Sequence, residues 1–266
     1  MSLISIAIFD QEGSGRTALT KRTLDSLLKT VDFNDHRLFL IDNGSCDDTK
    51  QVIAKFGGNF SPVGTYPIER LTVITLDENV GTAKAVNMGF KYRVPGEHCI
   101  KMDNDVEIKF TNWVEELEFA IKADPKIGIV GLKRKDLGES PVSEDFHYRT
   151  TLRMLPHQSG ERWMVFEQVK AGVFGTCTMF NSALMDKIGY LHQPTIYGWD
   201  DGLMSTRSTL AGFINGFLPH IELDHIDPGG TEYTEWKAKH ASETSMLALR
   251  LEEDYRSGKR PIYEDA

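Results

Sequence analysis

The segment that decides the fold reads His98-Cys99-Ile100-Lys101-Met102-Asp103-Asn104-Asp105. Its run of mostly apolar residues at 99–102 predicts a buried strand, and two carboxylates separated by one residue follow it directly. Because successive strand side chains face opposite ways, Asp103 and Asp105 are expected to project into the same cleft. Two like charges at one place favour a bound divalent cation, and an ordinary acidic turn is the alternative that so short a pattern leaves open.

The first half of the chain repeats this arrangement. Three more apolar runs, at residues 3–9, 37–41 and 71–76, alternate with segments of helical periodicity. This alternation is typical of βαβ units and predicts an α/β protein with a mostly parallel sheet flanked by helices. Asn112 and Glu115 match a capping box, which predicts a helix that begins after Asn112.

The second half is less regular. Residues 136–160 are polar and rich in Pro, Ser and Gly, so a loop or a short irregular hairpin is expected. Strands are predicted at 165–169 and 172–180, and helices at 182–188, from near Asp201, and at 233–256. The charged tail after Ser257-Gly258 is expected to be mobile.

Composition limits the function classes. The chain has 266 residues, 40% of them hydrophobic and 26% charged, which fits one large domain. No apolar run is long enough to span a bilayer, no basic leader precedes the first strand, and three scattered cysteines indicate neither a disulfide framework nor a zinc site. A cytoplasmic protein is therefore expected. The net charge of -9 argues against a broad nucleic-acid surface without excluding a local groove.

Polar residues follow each of the four predicted strands. Carboxyl ends of parallel strands meet at one edge of a sheet, where ligands bind. Glycines there permit close approach of a ligand, a lone carboxylate suits a ribose or a base N–H, and an acid pair suits a metal-bound diphosphate, although each segment also matches an ordinary turn. The segments are Asp10-Gln11-Glu12-Gly13, Asp42-Asn43-Gly44-Ser45, Asp77-Glu78-Asn79-Val80-Gly81 and Asp103-Asn104-Asp105.

In order and spacing these segments resemble the nucleotide-sugar glycosyltransferases of the GT-A type, and family 2 in particular. The resemblance covers about the first 110 residues. It implies a Rossmann-like GT-A fold in a single domain, with a donor half at 1–110, an acceptor and catalytic half at 111–232, and a C-terminal helix and tail at 233–266. The motifs that carry it are Ile41-Asp42-Asn43-Gly44-Ser45-Cys46-Asp47-Asp48-Thr49, Asn79-Val80-Gly81-Thr82-Ala83-Lys84-Ala85-Val86-Asn87-Met88-Gly89 and Asp103-Asn104-Asp105.

The resemblance also implies residue roles in the donor half. Asp42 would recognise the base, commonly uracil, and Asp105 would be the principal ligand of Mn2+ or Mg2+, with Asp103 on the ribose or the metal. A late histidine, His225, would complete the metal site. Further donor contacts are implied at Phe9, Asp10, Asn79, Lys84 and Asn104.

In the second half, the segment Tyr197-Gly198-Trp199-Asp200-Asp201-Gly202-Leu203 resembles the family segment in which an acidic pair opens a helix. The match makes Asp201 the catalytic base of an inverting transfer and Asp200 its acidic neighbour. Asp200 stands where the family usually has Glu, and Leu203 replaces a later acid. Trp199 is expected either to stack on a sugar or to anchor the core, and Gly175 to lie on the acceptor side.

The predicted activity is metal-dependent transfer of a hexosyl or pentosyl group from a nucleotide diphosphate, with UDP-sugar as the expected donor. The acceptor is a hydroxyl of a glycan, a lipid-linked oligosaccharide, a protein or a modified DNA base. One alternative is a haloacid-dehalogenase-like phosphotransferase, which fits poorly because its acid pair follows the first strand. Another is a nucleotide-sugar-binding module without turnover.

Overall fold

A computed structural model describes residues 1–135, 150–157, 160, 163–170, 172–173, 176–229 and 232–266. In these ranges ten strands form one mixed sheet. They are β1 Ser2–Ile8, β2 Arg37–Asn43, β3 Leu71–Leu76, β4 His98–Met102, β5 Val106–Ile108, β6 Ile127–Arg134, β7 Thr150–Pro156, β8 Trp163–Val169, β9 Cys177–Phe180 and β10 Ile214–His225. Their order is β3-β2-β1-β4-β9-β6-β10-β8-β7, and β5 pairs with β10.

The first four strands are parallel to one another and start the sheet as predicted. β1 lies between β2 and β4, and β3 pairs with β2. Leu3, Ile4, Ile6 and Ile8 are all fully buried, so both faces of β1 are covered. A central parallel strand covered on both faces reads as a continuous apolar run, which is why the sequence identified it.

Seven helices cover the sheet in the described residues. They are α1 Arg16–Thr30, α2 Asp47–Gly57, α3 Thr82–Phe90, α4 Trp113–Ala123, α5 Ser182–Ile188, α6 Asp200–Leu210 and α7 Glu232–Arg256. No helix in the described ranges combines the length and the apolar character needed to cross a membrane.

The capping box predicted for α4 is wrong. Asn112 precedes the helix in the left-handed region, with φ of 61°, and its side chain makes no capping hydrogen bond. Glu115 instead lies 3.2 Å from Nε2 of His36, a residue 79 positions away. The tertiary partner therefore takes the carboxylate that the local pattern had assigned to the helix start.

The loop or irregular hairpin expected at 136–160 is partly corrected. β7 is a regular strand that pairs antiparallel with β8, while residues 136–149 lie outside the described residues. β7 is the last strand of the sheet, and Leu152 and Met154 are exposed on it, so it lacks the alternation that marks a half-buried strand. The strand predicted at 172–180 is shorter and comprises only Cys177–Phe180 in the described residues.

The tail predicted to be mobile is docked. The backbone N–H of Glu264 donates to Ile188 O at 3.0 Å, and its carbonyl accepts from Tyr190 N at 2.9 Å. Arg207 of α6 donates to Ile262 O at 3.3 Å. The sequence of the tail indicates mobility because it is charged and because these partners lie more than 50 residues away.

Candidate active site

The parallel strands direct polar residues to one edge of the sheet, where two adjoining cavities meet. Thr82, Asp103, Asp105 and Tyr197 line both of them. The smaller has a volume of about 80 Å³ and the larger about 260 Å³. We call them the donor cavity and the transfer cavity.

Aromatic and amide side chains line the donor cavity. Phe9 follows β1 and faces Trp236 of α7, with ring centroids 6.5 Å apart, and Tyr197 lies 5.6 Å from Trp236. Asn43 and Asn79 line the same cavity and are joined by a hydrogen bond of 2.9 Å. Such a mixture of flat apolar surfaces and fixed polar groups suits a nucleoside. The sequence predicted Phe9 and Asn79 here and missed Trp236 and Tyr197.

Asp42 itself lines neither cavity, whereas its neighbour Asn43 lines the donor cavity. The Asp42 side chain is buried, and its Oδ1 accepts a hydrogen bond from Ser45 N at 2.9 Å. Its Oδ2 is buried and has no hydrogen-bond partner. An unsatisfied buried carboxylate oxygen is unfavourable, and a donor N–H from a ligand would relieve it.

Asp10 and Asn104 form an internal polar cluster. Asp10 accepts hydrogen bonds from Thr20 at 2.7 Å, Thr49 at 3.0 Å and Asn104 at 3.1 Å. Burial raises the pKa of Asp10, and the hydrogen bonds from Thr20 and Thr49 oppose that rise. Asn104 lines the donor cavity, whereas Asp10 is not among its lining residues, so the Asp10 side chain acts inside the protein.

Lys84 is exposed on α3 and lines neither cavity. The predicted contact between Lys84 and the nucleotide has no support in this geometry. Gly175 lies outside the described residues.

The Asp103-Asn104-Asp105 triplet follows the end of β4, and both carboxylates face the cleft. Asp105 is almost fully buried, with Oδ1 3.6 Å from Nε2 of His225. That Oδ1 has no hydrogen-bond partner. The structure thus brings Asp103, Asp105 and His225 to one place, as the sequence predicted.

A buried arginine holds the other oxygen of Asp105. Arg16 begins α1, and its guanidinium lies 2.9 Å from Asp105 Oδ2, 2.7 Å from Asp227 Oδ2 and 3.4 Å from Asn104 Oδ1. Arg16 therefore neutralises part of the acidic charge and fixes the orientation of Asp105. Arg16 carries no local signal in the sequence, because the two acids that it hydrogen-bonds lie 89 and 211 residues away.

Asp105 and His225 can serve as a small set of protein ligands for a hard divalent cation. In the described part of the chain, no three histidine, cysteine or acidic side chains are grouped as a metal site. Asp105 and His225 are adjacent, however, and Asp105 Oδ1 is a buried oxygen without a hydrogen bond. Cations that bind nucleotides take few protein ligands and complete their shell with phosphate oxygens and water.

The start of α6 also lines the transfer cavity. Asp201 is half-buried and lines the transfer cavity, and its Oδ1 accepts from Gly202 N at 2.9 Å. Asp200 is buried, and its Oδ2 lies 2.6 Å from Lys101 Nζ. The two adjacent acids thus have different surroundings.

Lys101 is a buried lysine of β4, within the run that predicted this strand. Burial disfavours its charged form, but Asp200, Asp103 and Asp201 outweigh this, so the pKa of Lys101 lies above its usual range. Lys101 is therefore charged at neutral pH.

Trp199 lies just before α6, with φ of 67°, and lines neither cavity. Its Nε1 donates to Ser245 of α7 at 3.0 Å, and its ring packs near Leu203, Ala248 and Tyr255. The structure places Trp199 as an anchor between α6 and α7. This matches the prediction that Trp199 anchors the core, and the structure does not support a contact between Trp199 and a sugar.

The mostly parallel sheet and the acidic cleft at its edge define a protein of the GT-A type. The family model for glycosyl transferase family 2 matches residues 15–189, and the chain belongs to that family. This assignment removes the haloacid-dehalogenase alternative. No curated protein matches the sequence.

Several solved structures share the fold. The mannosyltransferase PcManGT from Pyrobaculum calidifontis, in complex with GDP-Man and Mn2+, has a TM-score of 0.64 at 17% identity; the match covers 88% of this chain and 59% of that one. S. aureus TarS 1-349 in complex with UDP-GlcNAc has a TM-score of 0.59 at 16% identity, and the match covers 86% of this chain and 60% of that one. GalNAc-T7 with UDP, GalNAc and Mn2+ has a TM-score of 0.59 at 16% identity, and the match covers 86% of this chain and 44% of that one.

At these identities the likeness establishes the fold. The chain spans between 44% and 60% of the length of these three proteins.

Proposed function

We propose that this chain is a metal-dependent glycosyltransferase that moves a sugar from a nucleotide diphosphate to an acceptor hydroxyl, with a UDP-sugar as the first donor to test. The observation that carries the proposal is that Asp103, Asp105, His225 and Asp201 all line a single cavity. Solved structures of the same fold contain UDP, UDP-GlcNAc or GDP-Man, which supports a nucleotide-sugar donor.

On the donor side, Phe9, Tyr197 and Trp236 would hold the nucleoside. Asp42 Oδ2 would accept an N–H of the base, which would satisfy an oxygen that has no hydrogen-bond partner. The nucleoside would thereby be fixed with its diphosphate towards Asp103 and Asp105.

Asp105 and His225 would hold a divalent cation, Mn2+ or Mg2+, between the protein and the diphosphate. When bound, that ion supplies positive charge that neutralises the diphosphate as it leaves. Arg16 would keep Asp105 oriented for this contact, because it already binds the other oxygen of that carboxylate.

Asp201 would act on the acceptor. In an inverting transfer a carboxylate removes the proton from the acceptor hydroxyl while that oxygen attacks the anomeric carbon opposite the leaving diphosphate. Asp201 is the carboxylate of the acidic pair that we assign to this step, because Lys101 engages Asp200. The acceptor would enter the transfer cavity, and we leave glycan, lipid-linked oligosaccharide, protein and modified DNA base as the classes to test.

The proposed division of the chain follows from these roles. Residues 1–110 supply most donor contacts, 111–232 the base and the acceptor side, and 233–266 a helix and tail. Trp236 modifies this scheme, because a residue of α7 would close the donor cavity.

A thermal-shift screen tests the proposal. UDP, GDP, UDP-GlcNAc and GDP-mannose are each added with Mn2+ or with EDTA, and the melting temperature is measured. A ligand present at 100 times its Kd stabilises the folded state by about 2.7 kcal/mol, so a binding donor raises the melting temperature. We expect the rise to require Mn2+.

Asp105→Asn is expected to abolish the Mn2+-dependent rise, and the exposed Asp25→Asn is the matched control that keeps it. Release of UDP or GDP from the stabilising donor then separates an enzyme from a binding module. Absence of any shift would contradict the proposal, and a shift without turnover would support the module instead.

A further inference from the structure

Lys101 connects the two halves of the candidate active site. It lies on β4, two residues before Asp103, and its side chain is 6% exposed. Its Nζ is 2.6 Å from Asp200 Oδ2 on α6 and 3.9 Å from Asp103 Oδ1. One ammonium group thus contacts both the triplet proposed for metal binding and the acidic pair proposed for base catalysis.

The contact distinguishes two otherwise similar acids. Asp200 and Asp201 are adjacent at the first turn of α6, where the helix dipole favours both. Both acids line the transfer cavity, but Asp200 is 5% exposed and hydrogen-bonded to Lys101, whereas Asp201 is half-buried. A buried, charge-assisted hydrogen bond holds the first residue of α6 against β4 and so fixes the position of the backbone from which the next side chain projects.

We propose that Lys101 is a positioning residue of the transfer reaction, which anchors Asp200 to β4 so that Asp201 faces the acceptor hydroxyl. This inference rests on the proposed glycosyltransferase function. Lys101 also lines the transfer cavity, but its role in the reaction is exerted through Asp200, and Asp201 takes the proton. It also sets the distance between the leaving-group side of the cavity on β4 and the base side on α6.

Single and double variants separate the effect of the Lys101–Asp200 pair on the reaction from its effect on stability. Lys101→Met leaves the buried Asp200 carboxylate without its partner and is expected to lower both the melting temperature and kcat. Asp200→Asn together with Lys101→Met removes both charges, so the melting temperature should recover towards that of the wild type. If the pair positions Asp201, kcat of the double variant should remain about 100-fold low, because small misplacements of a reacting group have effects of this size.

The assay measures release of UDP from UDP-GlcNAc, or of GDP from GDP-mannose, with Mn2+ and with water as acceptor. KM for the donor and the Kd of the released nucleotide are measured in parallel, and both should stay at wild-type values. Lys133 and Glu167 are the matched control, since they form a Lys–acid pair of 3.1 Å and line neither cavity. Lys133→Met with Glu167→Gln should leave kcat unchanged.

Recovery of both kcat and melting temperature in the Lys101→Met/Asp200→Asn variant would show a merely structural pair and overturn the inference. A higher KM with unchanged kcat would also overturn it, because Lys101 would then act in donor binding. A wild-type protein that turns over neither donor would overturn the proposed function together with the inference, whereas the other two outcomes leave the proposed function standing.

Discussion

Asp201 is the residue on which the proposed chemistry depends most directly. It is half-buried on the transfer cavity, so Asp201→Asn removes a negative charge without leaving a void. We expect kcat to fall by about 10² to 10⁴, the usual contribution of a general base, while the melting temperature and nucleotide affinity stay unchanged. Steady-state kinetics with the donor identified by thermal shift measures this. Asp186→Asn, at an aspartate that is 62% exposed, is the control, and a normal kcat for Asp201→Asn would assign the base elsewhere.

Arg16 provides a second prediction, which links stability to metal binding. Arg16→Met leaves the buried Asp105 and Asp227 carboxylates without their cation, which should destabilise the protein by about 3–5 kcal/mol in EDTA. Mn2+ should restore part of this loss, because it neutralises Asp105 in the same place. Urea unfolding with Mn2+ and with EDTA measures both effects.

The exposed Arg22, which pairs with Glu107, is the control for Arg16. Arg22→Met should lower stability by less than about 1 kcal/mol, with no dependence on Mn2+. A loss at Arg16→Met that is identical with and without Mn2+ would argue against a cation at Asp105.

The sequence predicted some of the cleft residues and could not predict others, for a physical reason. Asp103, Asp105 and Asp201 are acids at strand ends or a helix start, so they are visible locally and the structure brings them to one cavity. Lys101 and Arg16 were missed because a buried cation is identified only by its partners. The acid that Lys101 hydrogen-bonds, Asp200, lies 99 residues away, and Asp227, which Arg16 hydrogen-bonds, lies 211 residues away.

At the scale of the element, α4 shows how a tertiary contact replaces a local one. His36 Nδ1 accepts from Ser2 N at 3.2 Å, so its Nε2 carries the proton and donates to Glu115. This hydrogen bond holds the pKa of Glu115 below its usual range, with burial opposing it. A carboxyl group whose pKa is lower in the folded than in the unfolded protein stabilises the fold at pH values above its unfolded pKa. That stability is lost as pH falls through the folded pKa.

Glu115→Gln should therefore destabilise the protein at pH 7, and the difference from the wild type should shrink below about pH 4.3, the usual glutamate pKa. Urea unfolding between pH 7 and pH 3.5 measures the difference. The exposed Glu253→Gln should show no such trend. A difference that is constant over this range would show that the Glu115 carboxylate is not stabilised by His36.

The elements that the sequence predicted best are those with strong periodicity. The bounds of β3 and α5 match the predictions, since both lie in regular patterns. β7 and the capping box of α4 were not predicted correctly, although α4 does begin after Asn112. An edge strand shows no clear alternation, and a cap residue in the left-handed region looks like any asparagine in sequence.

At the scale of the whole molecule, the C-terminal tail is attached to the helix that carries Asp200 and Asp201. Arg207 of α6 is fully buried and donates to the backbone carbonyls of Ile188 at 2.9 Å and Ile262 at 3.3 Å. Tyr255 and Arg260 both donate to the carboxylate of Glu264. The tail is therefore held to α6 through Arg207.

Gly189 is the point at which this attachment can be tested. It has φ of 74°, and a Cβ added there would lie 2.0 Å from Glu264 O, so the tail backbone must move. Gly189→Ala should lower stability by more than the about 1–3 kcal/mol that a strained backbone conformation alone produces. Gly96→Ala is the matched control, because Gly96 has φ of 84° and an added Cβ would meet nothing within 4 Å.

Urea unfolding measures the loss of stability, and the rate of trypsin cleavage after Lys259 reports release of the tail. We expect cleavage to accelerate in Gly189→Ala and not in Gly96→Ala, because only the first substitution breaks the contact between Glu264 and Tyr190. Equal stability and equal cleavage in the two variants would show that the tail does not depend on this contact. Faster cleavage together with a lower kcat would show that the tail helps to hold α6, and with it Asp201, in place.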